Sequence, residues 1–176
     1  MLIISIFLIL FSSSFDKNGG IVKLNREVKT SVFNNSKHRF LFVFFGYVGC
    51  SDVCTPRLSE LASIYRELKA DYKVDVGVVF VNLIKLRDAE LPTLFAKSFH
   101  KDFTALYLQG RKLRDIQNEF DIYCSASLTS QGDWDHTSFL FLLEKTKDKY
   151  IFKRIYTYIP FDKQTIIKDI LDLKHD

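Results

Sequence analysis

The chain has 176 residues, of which 47% are hydrophobic and 26% are charged, and its formal net charge is +4. This length suits one domain with its own core, and the composition excludes a disordered or fibrous chain. The basic excess is mild and spread out, without the arginine-rich or aromatic-interleaved stripe of a nucleic-acid binder, so nucleic acid is not an expected partner.

The chain begins with an apolar run from Leu2 to Phe11, broken only by Ser5. The run is shorter than the about 20 residues of a membrane span and matches the apolar part of an export signal. No Lys or Arg precedes it, and no Ala-x-Ala cleavage site follows. We assign residues 1–15 to a signal-like segment or a short membrane anchor, with a buried first strand as the alternative, and residues 16–176 to a single domain.

Strands and helices alternate through the next part of the chain. Ile21–Leu24 predicts a short strand, and the continuous apolar run Phe40–Phe45 predicts a buried central strand. From Pro56 to Leu68, apolar residues recur at helical spacing, and Pro56 suits a first helical turn. Val74–Leu83 is again rich in valine and predicts a second buried strand.

The pattern continues with a helix that Asp88 is expected to cap and that extends through Phe99. Phe103–Leu108 predicts a short strand, and the spacing of Leu113, Ile116 and Phe120 predicts a further helix.

The last part of the chain starts with a polar stretch, Ser125–Asp135, that predicts a loop. Thr137–Glu144 and Tyr150–Tyr158 are β-rich and predict a hairpin, and Pro160 is expected to open a final helix through Leu173. Early alternation followed by an antiparallel pair predicts an α/β fold with a mixed sheet, flanked by helices on both faces.

Two cysteines, Cys50 and Cys54, follow the predicted central strand, where α/β folds place their ligands. Cys54 lies just before or within the first helical turn, where the helix dipole favours a thiolate. If the turn is helical, both sulfurs lie on one face and are able to form a disulfide or bind one metal ion.

A third donor would come from His136, which lies between the polar loop and the start of a predicted strand. Two thiolates and one imidazole suit cuprous copper, whereas structural zinc needs a fourth ligand, from Cys124, His100 or an acid. Asp135, beside the histidine, and Asp52, between the two cysteines, are candidates to support the ligands.

The other thiol and imidazoles are given no role in the site. Cys124 is expected to be a buried or incidental thiol. His38, His100 and His175 stand in polar or basic company and are expected to be exposed to solvent.

Four segments together resemble a known family. Phe45–Tyr47 followed by Cys50–Cys54 resembles the signature of the Sco/SenC copper chaperones. The segments Phe80–Asn82, Arg87-Asp88 and Asp135–Phe139 resemble the family's next strand, its Arg-Asp segment and the segment that holds its histidine ligand. The resemblance extends from about Phe40 to Leu173.

The resemblance implies a thioredoxin-like domain that binds copper, as Cu⁺ and also as Cu²⁺, through Cys50, Cys54 and His136. It implies a metallochaperone that assists assembly of the binuclear copper centre of cytochrome c oxidase. The implied partners are the copper-bearing oxidase subunit and an upstream copper donor. The implied location is the periplasm, or the periplasmic face of the inner membrane by way of a tether, or the equivalent mitochondrial intermembrane face.

Two alternatives stay open at this point. In the first, Cys50 and Cys54 act as a catalytic redox pair in a thiol-disulfide oxidoreductase that works on partner cysteines without bound metal. The Cys-x-x-x-Cys spacing differs from the usual Cys-x-x-Cys redox motif. In the second, the chain is a thioredoxin-like module in stress signalling or partner binding that needs neither cysteine.

Overall fold

The computed structural model describes residues 20–130 and 132–175. The predicted segment 1–15 lies outside these residues. Eight strands are described: β1 (Ile21–Glu27), β2 (Phe40–Gly46), β3 (Val76–Asn82), β4 (Thr104–Tyr107), β5 (Cys124–Ala126), β6 (Trp134–His136), β7 (Leu140–Thr146) and β8 (Lys149–Tyr156). Four α-helices are described: α1 (Cys54–Ala70), α2 (Leu91–Phe99), α3 (Gly110–Glu119) and α4 (Lys163–His175), with a 3₁₀ turn at Ser31–Phe33.

Six of the strands form one mixed sheet in the order β1-β8-β7-β2-β3-β4. Strands β2, β3 and β4 run parallel, with Phe40 opposite Val76 and Val79 opposite Thr104. Strands β7, β8 and β1 continue the sheet by antiparallel pairing. The carboxyl ends of the three parallel strands therefore meet at one edge of the sheet.

The central strand β2 is buried on both faces. Phe40, Phe42 and Phe44 pack into a core that includes residues of α1, α2 and α4. Leu41, Val43 and Phe45 point the other way, into a second core that includes Ile116 of α3 and Phe120. Because side chains alternate along a strand, a continuous apolar run is what such a position requires, and the predicted fold class with helices on both faces is confirmed.

Helix α1 begins at Cys54, so that Pro56 lies in its first turn, as predicted. The starts of two later helices were predicted a few residues too early. Asp88 precedes α2, and its carboxylate accepts a hydrogen bond from the N–H of Glu90 instead of capping the helix. The last helix begins at Lys163 and not at Pro160, because Asp162 accepts hydrogen bonds from the N–H and the hydroxyl of Thr165.

Two further predictions need correction. The stretch predicted as a loop, Ser125–Asp135, contributes to a short antiparallel ribbon in which β5 pairs with β6 and Cys124 lies opposite His136. His100 is not fully exposed, since its ring lies 4.7 Å from the Tyr65 ring and 5.5 Å from the Phe103 ring, between centroids, and its side chain is 18% exposed. Aromatic packing explains its burial.

Candidate metal centre

The thiol-bearing turn follows the carboxyl end of β2 and is held by the neighbouring strand. Asn82, which is fully buried, accepts a hydrogen bond from the N–H of Val48 at 3.2 Å. The N–H of Leu83 donates to the carbonyl of Gly46 at 2.8 Å. Gly49 adopts a φ of +96°, a conformation that favours glycine. The turn is therefore fixed before the first cysteine is reached.

The two cysteines are joined through the start of α1. The N–H of Cys54 donates to the Sγ of Cys50 at 3.1 Å, so the first sulfur accepts one of the free backbone donors of the helix. The N–H and the hydroxyl of Thr55 both donate to the carbonyl of Cys50, at 3.3 and 3.0 Å. Both sulfurs are free and buried.

Gly46 makes room for the second sulfur. A Cβ atom at position 46 would lie 2.6 Å from the Sγ of Cys54 and 3.1 Å from the ring of Phe80. Real Cβ atoms do not approach sulfur so closely, so an alanine at this position would have to displace the thiol. The glycine is thus part of the site, a role that no pattern in the sequence indicates.

His136 reaches the sulfurs from the β5–β6 ribbon. Its Nε2 lies 3.4 Å from the Sγ of Cys54 and 3.8 Å from the Sγ of Cys50. Its Nδ1 lies 3.0 Å from the carbonyl oxygen of Thr137, which is able only to accept a hydrogen bond. Nδ1 therefore carries a proton, and in the neutral ring the lone pair belongs to the nitrogen that faces the sulfurs.

The three ligand atoms of Cys50, Cys54 and His136 all lie within 4.8 Å of one another. Of the described residues, only these three are brought together as a possible metal cluster. Cys124 and His100 are not among them, and no acid is. The fourth ligand that structural zinc would need is therefore absent from the described cluster, whereas two soft thiolates and one imidazole are a donor set that suits cuprous copper.

The two thiols titrate as a pair, with one of them far more acidic. The hydrogen bond from the Cys54 thiol lowers the pKa of Cys50 to about 4 against the opposing effect of burial, and a hydrogen bond from Nε2 of His136, which donates when the ring is protonated, lowers it further. The pKa of Cys54 is raised, because its proton is shared with the Cys50 sulfur and because it is buried deeper. The site in its reduced form thus holds one thiolate, on Cys50, beside one thiol.

The neighbouring Cys50 sulfur also affects the pKa of the His136 imidazole. Burial lowers the pKa of His136, but the hydrogen bond to Cys50, the Thr137 carbonyl and the charges of Cys50 and Asp135 outweigh it, so the net shift is upward. A thiolate beside an imidazole that gains protons more readily is the arrangement found around reactive cysteines.

Tyr47 connects the cysteine turn to the histidine ribbon. Its hydroxyl donates to Asp133 Oδ1 at 3.3 Å and accepts from the N–H of Trp134 at the same distance. Its ring meets the His136 ring edge-on, with centroids 5.7 Å apart and planes at 85°. Burial raises the pKa of Tyr47 to about 12, so the hydroxyl stays protonated at neutral pH. No motif in the sequence indicated a role for this residue.

The two predicted supporting acids lie at the rim and not against the ligands. Asp52 is exposed and accepts a hydrogen bond from the hydroxyl of Ser51 at 2.7 Å. Asp135 is exposed as well, and the hydrogen bond that orients the imidazole comes from the Thr137 carbonyl instead. The influence of Asp135 on the ring is electrostatic.

A cavity of about 260 Å³ opens above the cluster. Cys50 and His136 lie in its wall, together with Tyr47, Trp134 and residues of both the cysteine turn and the ribbon. Cys54 is not among the lining residues. An incoming group would therefore meet the Cys50 sulfur and the imidazole first.

A mixed sheet with helices on both faces and a two-cysteine turn before a helix defines a thioredoxin-like protein with a candidate soft-metal centre. A family model described as SCO1/SenC matches residues 25–174. The chain belongs to the SCO1/SenC family.

An SCO2-like protein of Rickettsia prowazekii is 27% identical over 121 residues, which cover 65% of this chain and 58% of that protein. The chain spans 58–62% of the length of the four Rickettsia relatives that it matches. Other matching proteins include a SCO1/SenC family lipoprotein from Bacillus anthracis and a mitochondrial SCO1 homolog from Arabidopsis thaliana.

Two solved structures illustrate the similarity in fold. The copper-bound crystal structure of Arabidopsis thaliana ScoI superimposes with a TM-score of 0.69 at 20% identity, covering 79% of this chain and 86% of that one. BsSco, described as a member of the Sco family of cytochrome c oxidase assembly proteins, gives a TM-score of 0.56 at 16% identity, with 76% and 78% covered. At these identities the matches establish the thioredoxin-like fold.

Among the described helices, none is both long and apolar enough to cross a membrane.

Proposed function

We propose that this protein is a copper metallochaperone that binds Cu⁺ through the sulfurs of Cys50 and Cys54 and the Nε2 of His136. The observation that carries the proposal is that these three atoms lie within 4.8 Å of one another although 82 to 86 residues separate the histidine from the cysteines. The donor set is soft, and the imidazole is already in the tautomer that offers Nε2.

The family supplies the biological context of this proposal. Arabidopsis ScoI and yeast Sco1 are both described with copper bound, and BsSco as belonging to a family of oxidase assembly proteins. We infer that the chain takes copper from an upstream donor and delivers it to the copper-bearing subunit of cytochrome c oxidase. A lipoprotein and a mitochondrial relative support a place on the periplasmic or intermembrane face, by export or by a membrane tether.

A competition titration tests the metal site directly. The reduced protein is titrated anaerobically with Cu⁺ against a chelator, alongside His136→Ala and the control His175→Ala, which removes an exposed imidazole near the chain end. We expect one tightly bound Cu⁺ per chain, weakened on the order of 10–100-fold in His136→Ala and unchanged in the control. Equal affinity in all three proteins would contradict the assignment of His136.

A second function is favoured by the asymmetry of the two thiols. A low-pKa thiolate on Cys50, open to the cavity, beside a deeper thiol on Cys54 is suited to attack a partner's disulfide and then resolve the mixed disulfide. The protein would then act as a thiol-disulfide reductase. This function requires both cysteines and leaves His136 dispensable for the reduction of a target disulfide.

The variant Cys54→Ala separates the two thiols' roles. It should accumulate a mixed disulfide on Cys50 with an oxidised substrate, because the resolving thiol is missing, whereas Cys50→Ala should accumulate none. Absence of a trapped mixed disulfide in Cys54→Ala would rule out the reductase function and leave copper binding as the role of the pair.

A further inference from the structure

The wall of the cavity above the metal centre has a one-sided charge. Three aspartates, Asp52, Asp133 and Asp135, contribute to it, and none of the described lining residues is Lys or Arg. The chain as a whole has 25 Lys and Arg against 21 Asp and Glu, so this composition is opposite to the protein's net charge of +4. The cavity therefore has a negative field within a basic protein.

The centre at the base of the cavity adds to that field. A cuprous ion held by two thiolates and a neutral imidazole would leave one negative charge on the complex. A partner that exchanges ligands with this copper brings thiolates of its own. Repulsion between like charges in a partly enclosed cavity would slow that encounter unless the partner carries compensating positive charge.

Exposed apolar side chains contribute to the same opening or lie next to it in the chain. Val53 and Trp134 line the cavity and are each 38% exposed, and Leu128, on the loop between β5 and β6, is 99% exposed. Exposed aromatic and aliphatic side chains grouped beside a polar cavity are typical of a surface that binds another protein.

We propose that this surface, formed by Asp52, Val53, Leu128, Asp133, Trp134 and Asp135, docks a cysteine-bearing segment of a partner protein whose thiols are flanked by Lys or Arg. The three aspartates attract the basic residues on either side of the cysteine, and the apolar side chains pack against apolar groups of the segment. The sulfur of the segment then contacts Cys50. The inference rests on the proposed function in that it names the class of partner that the same centre serves.

The first test measures docking without any chemistry. Trp134 is the only tryptophan of the chain and lines the cavity, so its fluorescence reports an occupant. Two peptides share a core in which serine replaces both cysteines, one flanked by lysines and the other by glutamates. We expect saturable binding of the lysine peptide, at least about tenfold tighter than that of the glutamate peptide at low salt, and a difference that falls to within about twofold in 1 M NaCl.

Two triple variants test whether the aspartates of the cavity cause the preference for the lysine peptide. Asp52→Asn/Asp133→Asn/Asp135→Asn should remove the preference for lysine. The control Asp71→Asn/Asp115→Asn/Asp148→Asn makes the same change in net charge at exposed positions that do not line the cavity, and it should keep the preference. Equal binding of both peptides by the wild type, or equal loss in both triple variants, would overturn the proposal.

The second test uses the Cys50 thiolate itself. The thiolate attacks a small disulfide to form a mixed disulfide and release one thiolate product, and Cys54 then displaces the second product as a thiol, leaving a Cys50–Cys54 disulfide. The probes are cystamine, which is cationic, and dithiodipropionate, which is anionic. Because both disulfides react with the same thiolate, the ratio of the two rates does not depend on the intrinsic reactivity of Cys50. The ratio therefore reports the effect of the negative charge in the cavity.

We expect the ratio of the cystamine rate to the dithiodipropionate rate to be on the order of tenfold larger for the protein than for 2-mercaptoethanol. In Asp52→Asn/Asp133→Asn/Asp135→Asn the ratio should fall to the 2-mercaptoethanol value. In the control Asp71→Asn/Asp115→Asn/Asp148→Asn it should stay high. A wild-type ratio equal to that of 2-mercaptoethanol would contradict the proposal. Neither test requires copper, so a failed copper titration and a failed docking test are separate results.

Discussion

The backbone N–H of Cys54 points at the sulfur of Cys50, 3.1 Å away, so that one cysteine occupies the amino end of the helix that begins with the other. Because of this contact the two thiols differ in acidity and in their access to the cavity. The outer sulfur is stabilised as a thiolate by the helix end and by the proton of the inner thiol, while the inner sulfur lies below it out of the cavity.

The first prediction concerns the acidity of Cys50. In a Cys124→Ser background, which removes the third thiol, the rate of alkylation of Cys50 by iodoacetamide should rise with pH around a midpoint of about 4 and then level off. Cys54→Ala should move the midpoint upward, because the hydrogen bond from Cys54 is the main cause of the low pKa. Mass spectrometry identifies the alkylated residue. A midpoint near the ordinary cysteine value of about 8.5 would contradict this account.

The second prediction concerns the hydroxyl of Tyr47. Tyr47→Phe removes two hydrogen bonds, to Asp133 and from Trp134, and should lower the free energy of unfolding by about 1–3 kcal/mol. It should also weaken Cu⁺ binding on the order of tenfold, because the ribbon that holds His136 is no longer tied to the cysteine turn. Chemical denaturation and chelator competition provide the two measurements.

Tyr107→Phe is the matched control for Tyr47→Phe. The Tyr107 hydroxyl also makes two hydrogen bonds, with the N–H and the carbonyl of Leu86, but it does not line the cavity. It should destabilise the protein by a similar amount and leave the copper affinity unchanged. If both variants lost affinity equally, the loss would reflect general destabilisation and not the position of His136.

Cys50, Cys54 and His136 could be predicted from the sequence as candidate ligands because each stands at a recognisable junction. A continuous apolar run ends just before Cys50, a helical pattern starts just after Cys54, and a β-rich run follows His136. These patterns also determine the order of strands and helices, since sheet burial and helix periodicity are local properties of the chain. Whether the two cysteines and the histidine lie close together in space depends on the order of the strands in the sheet. That closeness was expected only from the resemblance to a known family.

The supporting residues could not be predicted in the same way. Gly46 matters because of a sulfur eight positions later, and Asn82 because its side chain reaches the turn that follows another strand. The Thr137 carbonyl, which orients His136, belongs to the backbone and leaves no trace in residue type. The β5–β6 ribbon was missed because its strands have three residues each and a polar composition, so they show no alternation.

The third prediction concerns Gly46. In Gly46→Ala the new methyl group would lie 2.6 Å from the Cys54 sulfur, so the thiol or the strand must move. We expect a loss of about 1–3 kcal/mol in the free energy of unfolding, as for overpacked cores, together with weaker Cu⁺ binding. Thermal unfolding and the competition titration measure the two effects.

Gly77→Ala provides the control for Gly46→Ala. A Cβ at position 77, on the neighbouring strand at the opposite end of the sheet, would meet the ring of His38. This variant should be destabilised as well but should bind copper like the wild type. An unchanged copper affinity in Gly46→Ala would show that the sulfur of Cys54 has room to move.

The fourth prediction concerns acid stability and involves a group far from the candidate metal centre. Burial alone would raise the pKa of Asp75, but the hydrogen bonds from His38 at 2.7 Å and from the N–H of Arg39 at 3.0 Å lower it below its ordinary value. A carboxylate whose pKa is depressed by folding stabilises the folded state at pH values above its unfolded pKa. That contribution is lost as the pH falls through the folded pKa.

Denaturant unfolding of the wild type and of Asp75→Asn between pH 7 and pH 3 measures this contribution. The wild type should have a larger free energy of unfolding than Asp75→Asn at neutral pH. This difference should shrink as the pH falls below about 4, so that the two free energies converge at the acid end. The effect should be small, because the Asp75 side chain is 56% exposed and its ion pair with His38 is screened by solvent. A constant difference between the two proteins across the whole range would show that Asp75 acts through its shape and hydrogen bonds and not through its charge.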